Sequence, residues 1–243
     1  MVGTPYGGCA KGAIGLHRGM PSDDAHTAAC DDRGVSPEFI HCDAALIVAA
    51  KPAGLLAVPG RGEDKQDCLA ARVQAVYPDA LVVHRLDMAT SGLMAFARGP
   101  AAQRRLGDAF ARREVDKRYV AIAAGRMTLT EGEIDLPLIA DWPNRPRQHV
   151  DPVHGKPSLT RFHVLGHDAA SDTTRVELEP VTGRSHQLRV HLCAIGHPIA
   201  GDALYAPPDV LALASRLMLH AQSLVLPHPA RGLRVAFELP PPF

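Results

Sequence analysis

His84-Arg85-Leu86-Asp87, followed closely by Thr90-Ser91, sets one carboxylate among a guanidinium, an imidazole and two hydroxyls. An acid fixed in such company can serve as a nucleophile or as a base, provided it is ionised. The same residues also fit a structural ion pair between Arg85 and Asp87 in a turn, and both readings stand on these residues alone.

Three further places carry reactive side chains. In Lys117-Arg118-Tyr119, the tyrosine offers a flat face for a nucleobase and a phenol for proton transfer, although half-buried strand tyrosines are common. In Gly183-Arg184-Ser185-His186, Arg184 opens an expected helix. The helix dipole disfavours a cation there unless an anion faces it, and a phosphate or a carboxylate such as Asp87 would answer. Lys51 follows a short apolar run, as a structural lysine or as a Schiff-base amine.

Other chemistries fit poorly. His186, His191 and His197 do not share a helix face, and no nearby carboxylate completes a facial triad, so no metal is expected. Ser91 and Ser185 lack the G-x-S-x-G elbow, and no glycine-rich phosphate loop is present.

The elements that must position these residues can be traced from pattern. Leu81-Val82-Val83 and Leu93 to Ala97 predict strands on either side of the Asp87 loop. Residues 67–77 and 101–113 predict helices, the first with Leu69, Val73 and Val76 on one face, the second with Ala102, Leu106, Ala109 and Phe110. Lys117 to Ala123, Thr160–Leu165 and Thr174–Leu178 predict strands. Ser185 is the expected N-cap of a helix striped by Leu188, Leu192 and Ile195; Gly196 suits its C′ position and Pro198 prevents continuation. Strands are expected again at Leu217–Ala221, Leu224–Leu226 and Leu233–Leu239. Residues 1–36, rich in Gly, Ala, Ser and Asp and without apolar period, are expected to form a flexible leader, and 37–243 one compact body.

The totals narrow the class. The chain has 243 residues, 46% of them hydrophobic, enough for a real core. No eighteen-residue apolar run and no signal-peptide pattern occur, so neither a membrane span nor secretion is indicated. Five scattered cysteines without a C-x-x-C pair point to reduced thiols in a cytoplasm. Lys+Arg and Asp+Glu both total 26, so net charge does not mark a nucleic-acid partner. Between Arg98 and Arg126, however, Arg104, Arg105, Arg112, Arg113, Lys117 and Arg118 outnumber the acids. Such a strip can follow a phosphate backbone, or it can be a solvated helix face.

Taken together, His84-Arg85-Leu86-Asp87 with Thr90-Ser91-Gly92, Lys51-Pro52 with Gly54-Leu55-Leu56, Lys117-x-Tyr119, Gly183-Arg184-Ser185-His186-Gln187-Leu188-Arg189-Val190-His191, Gly196-His197-Pro198-Ile199 with Gly201-Asp202, and Leu219-His220-Ala221 resemble the RluA family of RNA pseudouridine synthases. The blocks span Phe39 to the C-terminus in family order. Val58-Pro59-Gly60-Arg61, Met88 to Gly92 and Asp141 to Pro146 resemble the dual-specificity branch, which acts on uridine 746 of 23S rRNA and uridine 32 in the anticodon loop of tRNA. Ala50 stands where the family often has a polar residue.

The resemblance implies an α+β pseudouridine synthase fold, a mixed, mostly antiparallel sheet with flanking helices and a central RNA-binding cleft, without an S4 domain. It implies Asp87 as the nucleophile, Arg184 as its counter-ion and Tyr119 as the residue that stacks on the base. Arg85, His84, Thr90, Lys51, Arg104, Arg105, Lys117 and Arg189 are the implied RNA contacts. RNA stem-loops are the implied partners of a monomer that needs no cofactor. The rivals are a catalytically inactive RNA-binding or assembly factor of the same fold, and a metal-dependent hydrolase using the histidines.

Overall fold

The computed structural model describes residues 36–243. Apart from Ser36, the expected leader over 1–36 lies outside the described residues. In chain order the elements are β1 (Glu38–Cys42), β2 (Leu46–Lys51), α1 (Leu69–Val76), β3 (Ala80–Val82), β4 (Ser91–Arg98), α2 (Gly99–Ala111), β5 (Asp116–Ala124), β6 (Glu131–Asp135), β7 (Leu138–Ala140) and β8 (Gln148–Val150). There follow β9 (Leu159–Asp168), β10 (Thr173–Pro180), α3 (Gln187–Ala194), α4 (Pro208–Leu211), β11 (Leu219–Pro227) and β12 (Arg234–Glu238).

Ten strands form one sheet in the order β1-β2-β4-β11-β5-β10-β9-β6, with β3 added beside β4 and β12 beside β11. Every pairing is antiparallel except β4 with β11. The fold is thus α+β with a mixed, mostly antiparallel sheet. The parallel seam is short, joining Ser91 to His220 and Gly92 to Ala221. Gly92 is required there: its φ is +119°, and a methyl group on it would overlap the Ala221 backbone.

Period-two alternation explains why β4 reads as an unbroken apolar run. Leu93, Ala95 and Ala97 pack with Leu46, Val48 and the α2 residues Ala102, Leu106 and Ala109. Met94 and Phe96 face the other way, against Ile47, Ala49 and the α1 residues Leu69, Ala70 and Val73. Both faces are covered, so no polar position interrupts the strand. A third core cluster lies beyond the seam, around Val176, Leu178, Leu188, Leu192 and Ile199.

Two local expectations are corrected. Helix α3 begins after His186, not after a Ser185 cap; His186 has φ +56° and makes no side-chain cap. The two strands expected after Leu217 are one strand, β11, with an irregular register between Ala221 and Ser223 against β5. Side-chain packing continues through that irregularity, which the sequence pattern reads as a break.

Candidate active site

Asp87 sits in the connection from β3 to β4, fastened at several points. Thr90 N–H donates to the Asp87 carbonyl at 3.1 Å, closing a turn. Lys51, at the end of β2, is only 1% exposed and donates to the carbonyls of Pro52 (2.8 Å), Leu55 (2.7 Å) and Met88 (2.9 Å). Burial pushes its pKa down to about 8, while the Asp87 charge resists. All three ammonium donors are spent on backbone oxygens, so Lys51, expected as an RNA contact, is buried here and pins the loop.

His84 is likewise a wall of the site. Its Nε2 accepts from the Ala95 N–H at 2.9 Å, and its ring stacks on Phe110 with centroids 4.7 Å apart. Burial, then the Lys117 charge, pushes its pKa down to about 3. It is therefore neutral, and no cation for a phosphate. Thr90 lines the same cleft and is 2% exposed.

The guanidinium beside Asp87 belongs to Arg189. Its Nη1 lies 3.6 Å from Asp87 Oδ2. Its other edge is bidentate on Asp202, with Nε to Oδ2 at 2.8 Å and Nη2 to Oδ1 at 2.6 Å. Burial opposes this charge, but the Asp202 hydrogen bonds and the two carboxylates raise the Arg189 pKa nonetheless. Asp202, 1% exposed, is fixed in turn by the N–H groups of Leu204 and Tyr205. Arg184, expected as the counter-ion, instead donates from Nε to Pro157 O at 3.2 Å on the rim of the cleft. The reason lies in the turn before α3. Buried Gln187 accepts from Thr182 Oγ1 and from Arg184 N–H, and this curls the turn so that Arg184 points outward.

His186 completes the ring around the acid. Its Nε2 is 3.9 Å from Asp87 Oδ1, and its Nδ1 is 2.6 Å from the Tyr205 hydroxyl. That hydroxyl already accepts from Gln148 N–H at 2.9 Å, so its own proton is free to go to Nδ1. The tautomer is thereby set with Nε2–H toward Asp87. Burial lowers the His186 pKa against the pull of Asp87, which keeps the ring neutral. The left-handed backbone at His186 costs on the order of 1–3 kcal/mol, and the Tyr205 bond offsets part of it.

Tyr119 comes from β5, opposite Leu178 and Ala221 on the neighbouring strands. Its phenol pKa is raised, first by burial and then by the nearby Asp87 charge, so the hydroxyl stays protonated. Lys117, two residues earlier on the same strand face, lines the cleft; burial lowers its pKa. The cleft encloses about 680 Å³ and carries Arg85, Arg113, Lys117, Arg161, Arg184 and Arg189 on its walls. Arg161 is answered by Glu133 and Glu179, whereas Arg85 is exposed and without a partner among the described residues. A neutral chain thus shows a basic concavity. The expected strip supplies only part of it, through Arg113 and Lys117. Arg104 and Arg105 lie on the exposed side of α2, where Arg105 donates to Pro229 O. Arg118 points to the opposite sheet face and pairs with Glu177.

The histidines weighed for a metal do not converge: His191 meets Thr160 and Leu136, and His197 meets Ala124 O. Elsewhere His41, Asp43 and His228 do cluster. Yet His228 Nδ1 accepts from two backbone N–H groups, which leaves Nε2 protonated and donating to Asp43 at 2.7 Å. That protonation suits a latch between the β1–β2 turn and the turn after β11, and it blocks metal ligation at Nε2.

Sequence reasoning missed three members of the site, of which His186 enters that reasoning only as a rejected metal ligand. Asp202 belonged to a matched block, but nothing local marked it as the partner of Arg189. Tyr205 sits in a loop whose position depends wholly on tertiary packing. The one available signal was a lone acid after Gly201, whose φ of +72° and tight approach to Arg216 O demand glycine.

Fold and site together define an RNA pseudouridylate synthase: residues 45–194 match that family's model, and the chain belongs to the family. Its activity is the isomerisation of uridine to pseudouridine in RNA. The chain is 51% identical over 205 residues to the dual-specificity RNA pseudouridine synthase RluA of Salmonella typhi, covering 84% of this chain and 93% of that protein. It is 50% identical, with the same coverage, to the RluA of Escherichia coli strain K12. Among solved structures it resembles human RNA pseudouridylate synthase domain containing 1, with a TM-score of 0.73, 28% identity, and 88% of this chain and 87% of that one covered.

Proposed function

We propose that this chain isomerises uridine 746 of 23S rRNA and uridine 32 of tRNA, as a cytoplasmic monomer working with protein groups alone, and that residues 37–243 form its catalytic domain. The observation that carries the catalytic assignment is Asp87 beside the Arg189 guanidinium in a basic cleft that Tyr119 also lines. The names of the bacterial relatives support the dual specificity.

The target base leaves its stack first, at a cost of a few kcal/mol that is least in a loop. Arg85, exposed on the cleft wall and without a partner among the described residues, takes the vacated place or grips the adjacent phosphate. Asp87 attacks C6 of uracil or C1′ of ribose, and the C1′–N1 bond breaks. The base turns, C1′ bonds to C5, the C5 proton departs and N1 ends protonated, so electrons balance without a redox partner. Arg189 holds the Asp87 carboxylate aimed until it attacks. Tyr119 stacks on the base. Because its phenol is held protonated, it can take the C5 proton only while passing its own on, and the released Asp87 carboxylate is the adjacent acceptor.

Mapping pseudouridines in total tRNA and 23S rRNA from a strain lacking this protein tests the assignment. Loss at both positions, restored by the intact chain but not by Asp87→Asn, is expected. Unchanged pseudouridine at both would remove these targets.

A further inference from the structure

Trp142 is 68% exposed, in the loop joining β7 to β8. Arg145 lies flat over one ring face, 3.2 Å from its centroid, and its Nε donates to Trp142 O. The loop is rigid by construction. Asp141 N–H donates to Arg147 O at 2.9 Å across its base, Arg147 N–H to Asn144 O at 3.0 Å, and the Asn144 amide to the Asp141 carboxylate. Its foot stands on the active site: Gln148 N–H donates to the same Tyr205 hydroxyl that orients His186 beside Asp87, and Arg147 sits over the Tyr205 ring.

An indole held out in water by a pre-ordered loop exposes an apolar face for which the described residues give no use. Asp141 is hydrogen-bonded by the neutral Asn144 amide, and Arg145 and Arg147 together outweigh its charge, so the loop is net positive and favours a polyanion. We propose that Trp142, backed by Arg145, is a stacking platform for an unpaired nucleobase flanking the target uridine in the RNA substrate. Every base has a π-face, so the platform accepts any nucleotide there, and a loop already ordered loses little entropy on closing the stack. Since one face is taken by Arg145, a single base is bound. This rests on the RNA substrate proposed above, and deepens it by adding a contact outside the catalytic cleft.

The chain contains one tryptophan, so its intrinsic emission reports on this position alone. The full chain is titrated with an RNA stem-loop carrying the uridine-32 context while binding is followed independently by gel mobility. Quenching of Trp142 emission that saturates with binding is expected, together with a roughly 5- to 100-fold weaker affinity in Trp142→Ala, largely recovered in Trp142→Phe. Bound RNA with unchanged emission, or equal quenching by a fully paired duplex, overturns the platform and leaves the synthase intact. No binding of the stem-loop at all overturns both.

Discussion

Arg189 grips Asp202 with one edge of its guanidinium and approaches Asp87 with the remaining nitrogen, 3.6 Å from the carboxylate. Two acids on one planar cation make an arrangement that lysine cannot copy. Arg189→Lys is therefore expected to lose most turnover, and Arg189→Ala to lose about 3–5 kcal/mol of stability because Asp202 is left buried and unpaired. Arg184→Ala, on the rim, should change stability by less than about 0.5 kcal/mol. Denaturant unfolding of the three variants distinguishes them; equal destabilisation by Arg184→Ala would contradict the assignment.

Asp87→Asn preserves shape while deleting the attacking charge. RNA binding should persist and turnover should fall by about 10,000-fold or more, read as pseudouridine formed in a single-turnover assay. Residual activity near the parent level would mean that another group opens the reaction.

Tyr119→Phe keeps the ring and removes the phenol. A loss of about 100- to 10,000-fold in turnover with unaltered RNA affinity is expected if the hydroxyl passes the C5 proton. Undiminished turnover would show that stacking suffices.

Salt dependence locates the phosphate contacts. Each lost contact to a single strand lowers the slope of log affinity against log salt by about 0.7. Arg85→Ala with Arg184→Ala should lower it by about 1.4. Arg104→Ala with Arg105→Ala should leave it flat, since these two stand outside the cleft; a drop as large as the first would restore the helix α2 strip as an RNA track.

His84 predicts an acid weakness. Its folded pKa, about 3, lies below the unfolded value near 6.5, so between these limits the unfolded chain binds the extra proton. Stability contributed by the neutral ring is whole above pH 6.5 and is lost as pH falls toward 3, by at most about 1.4 kcal/mol per unit. His84→Gln, which retains an acceptor for Ala95 N–H, should flatten this part of the pH profile in urea unfolding. An identical slope in parent and variant would mean that the His84 pKa is the same in the folded and unfolded chain.

Much of this was legible in the sequence, and the failures share one cause. The unbroken apolar run from Leu93 to Ala97 marks a strand, and flanking turn residues mark the Asp87 loop, because those signals are local. Which of Arg184 and Arg189 meets Asp87 was not local. It depends on the rotation of α3, which is set by the left-handed His186 and by Gln187 buried against Thr182 and Leu159. Lys51 reads from its own segment as either structural or reactive, because its three carbonyl partners come from two separate stretches of chain. Asp202 and Tyr205 could not be assigned at all, since their partners Arg189 and His186 are brought to them by the fold.

The short parallel seam at Gly92 and Ala221 divides the working parts. Asp87 and Lys51 are carried by strands on one bank, while Tyr119, Arg189 and Asp202 belong to the other. Neither bank alone owns a complete catalyst, so the site is assembled only when β11 docks between β4 and β5.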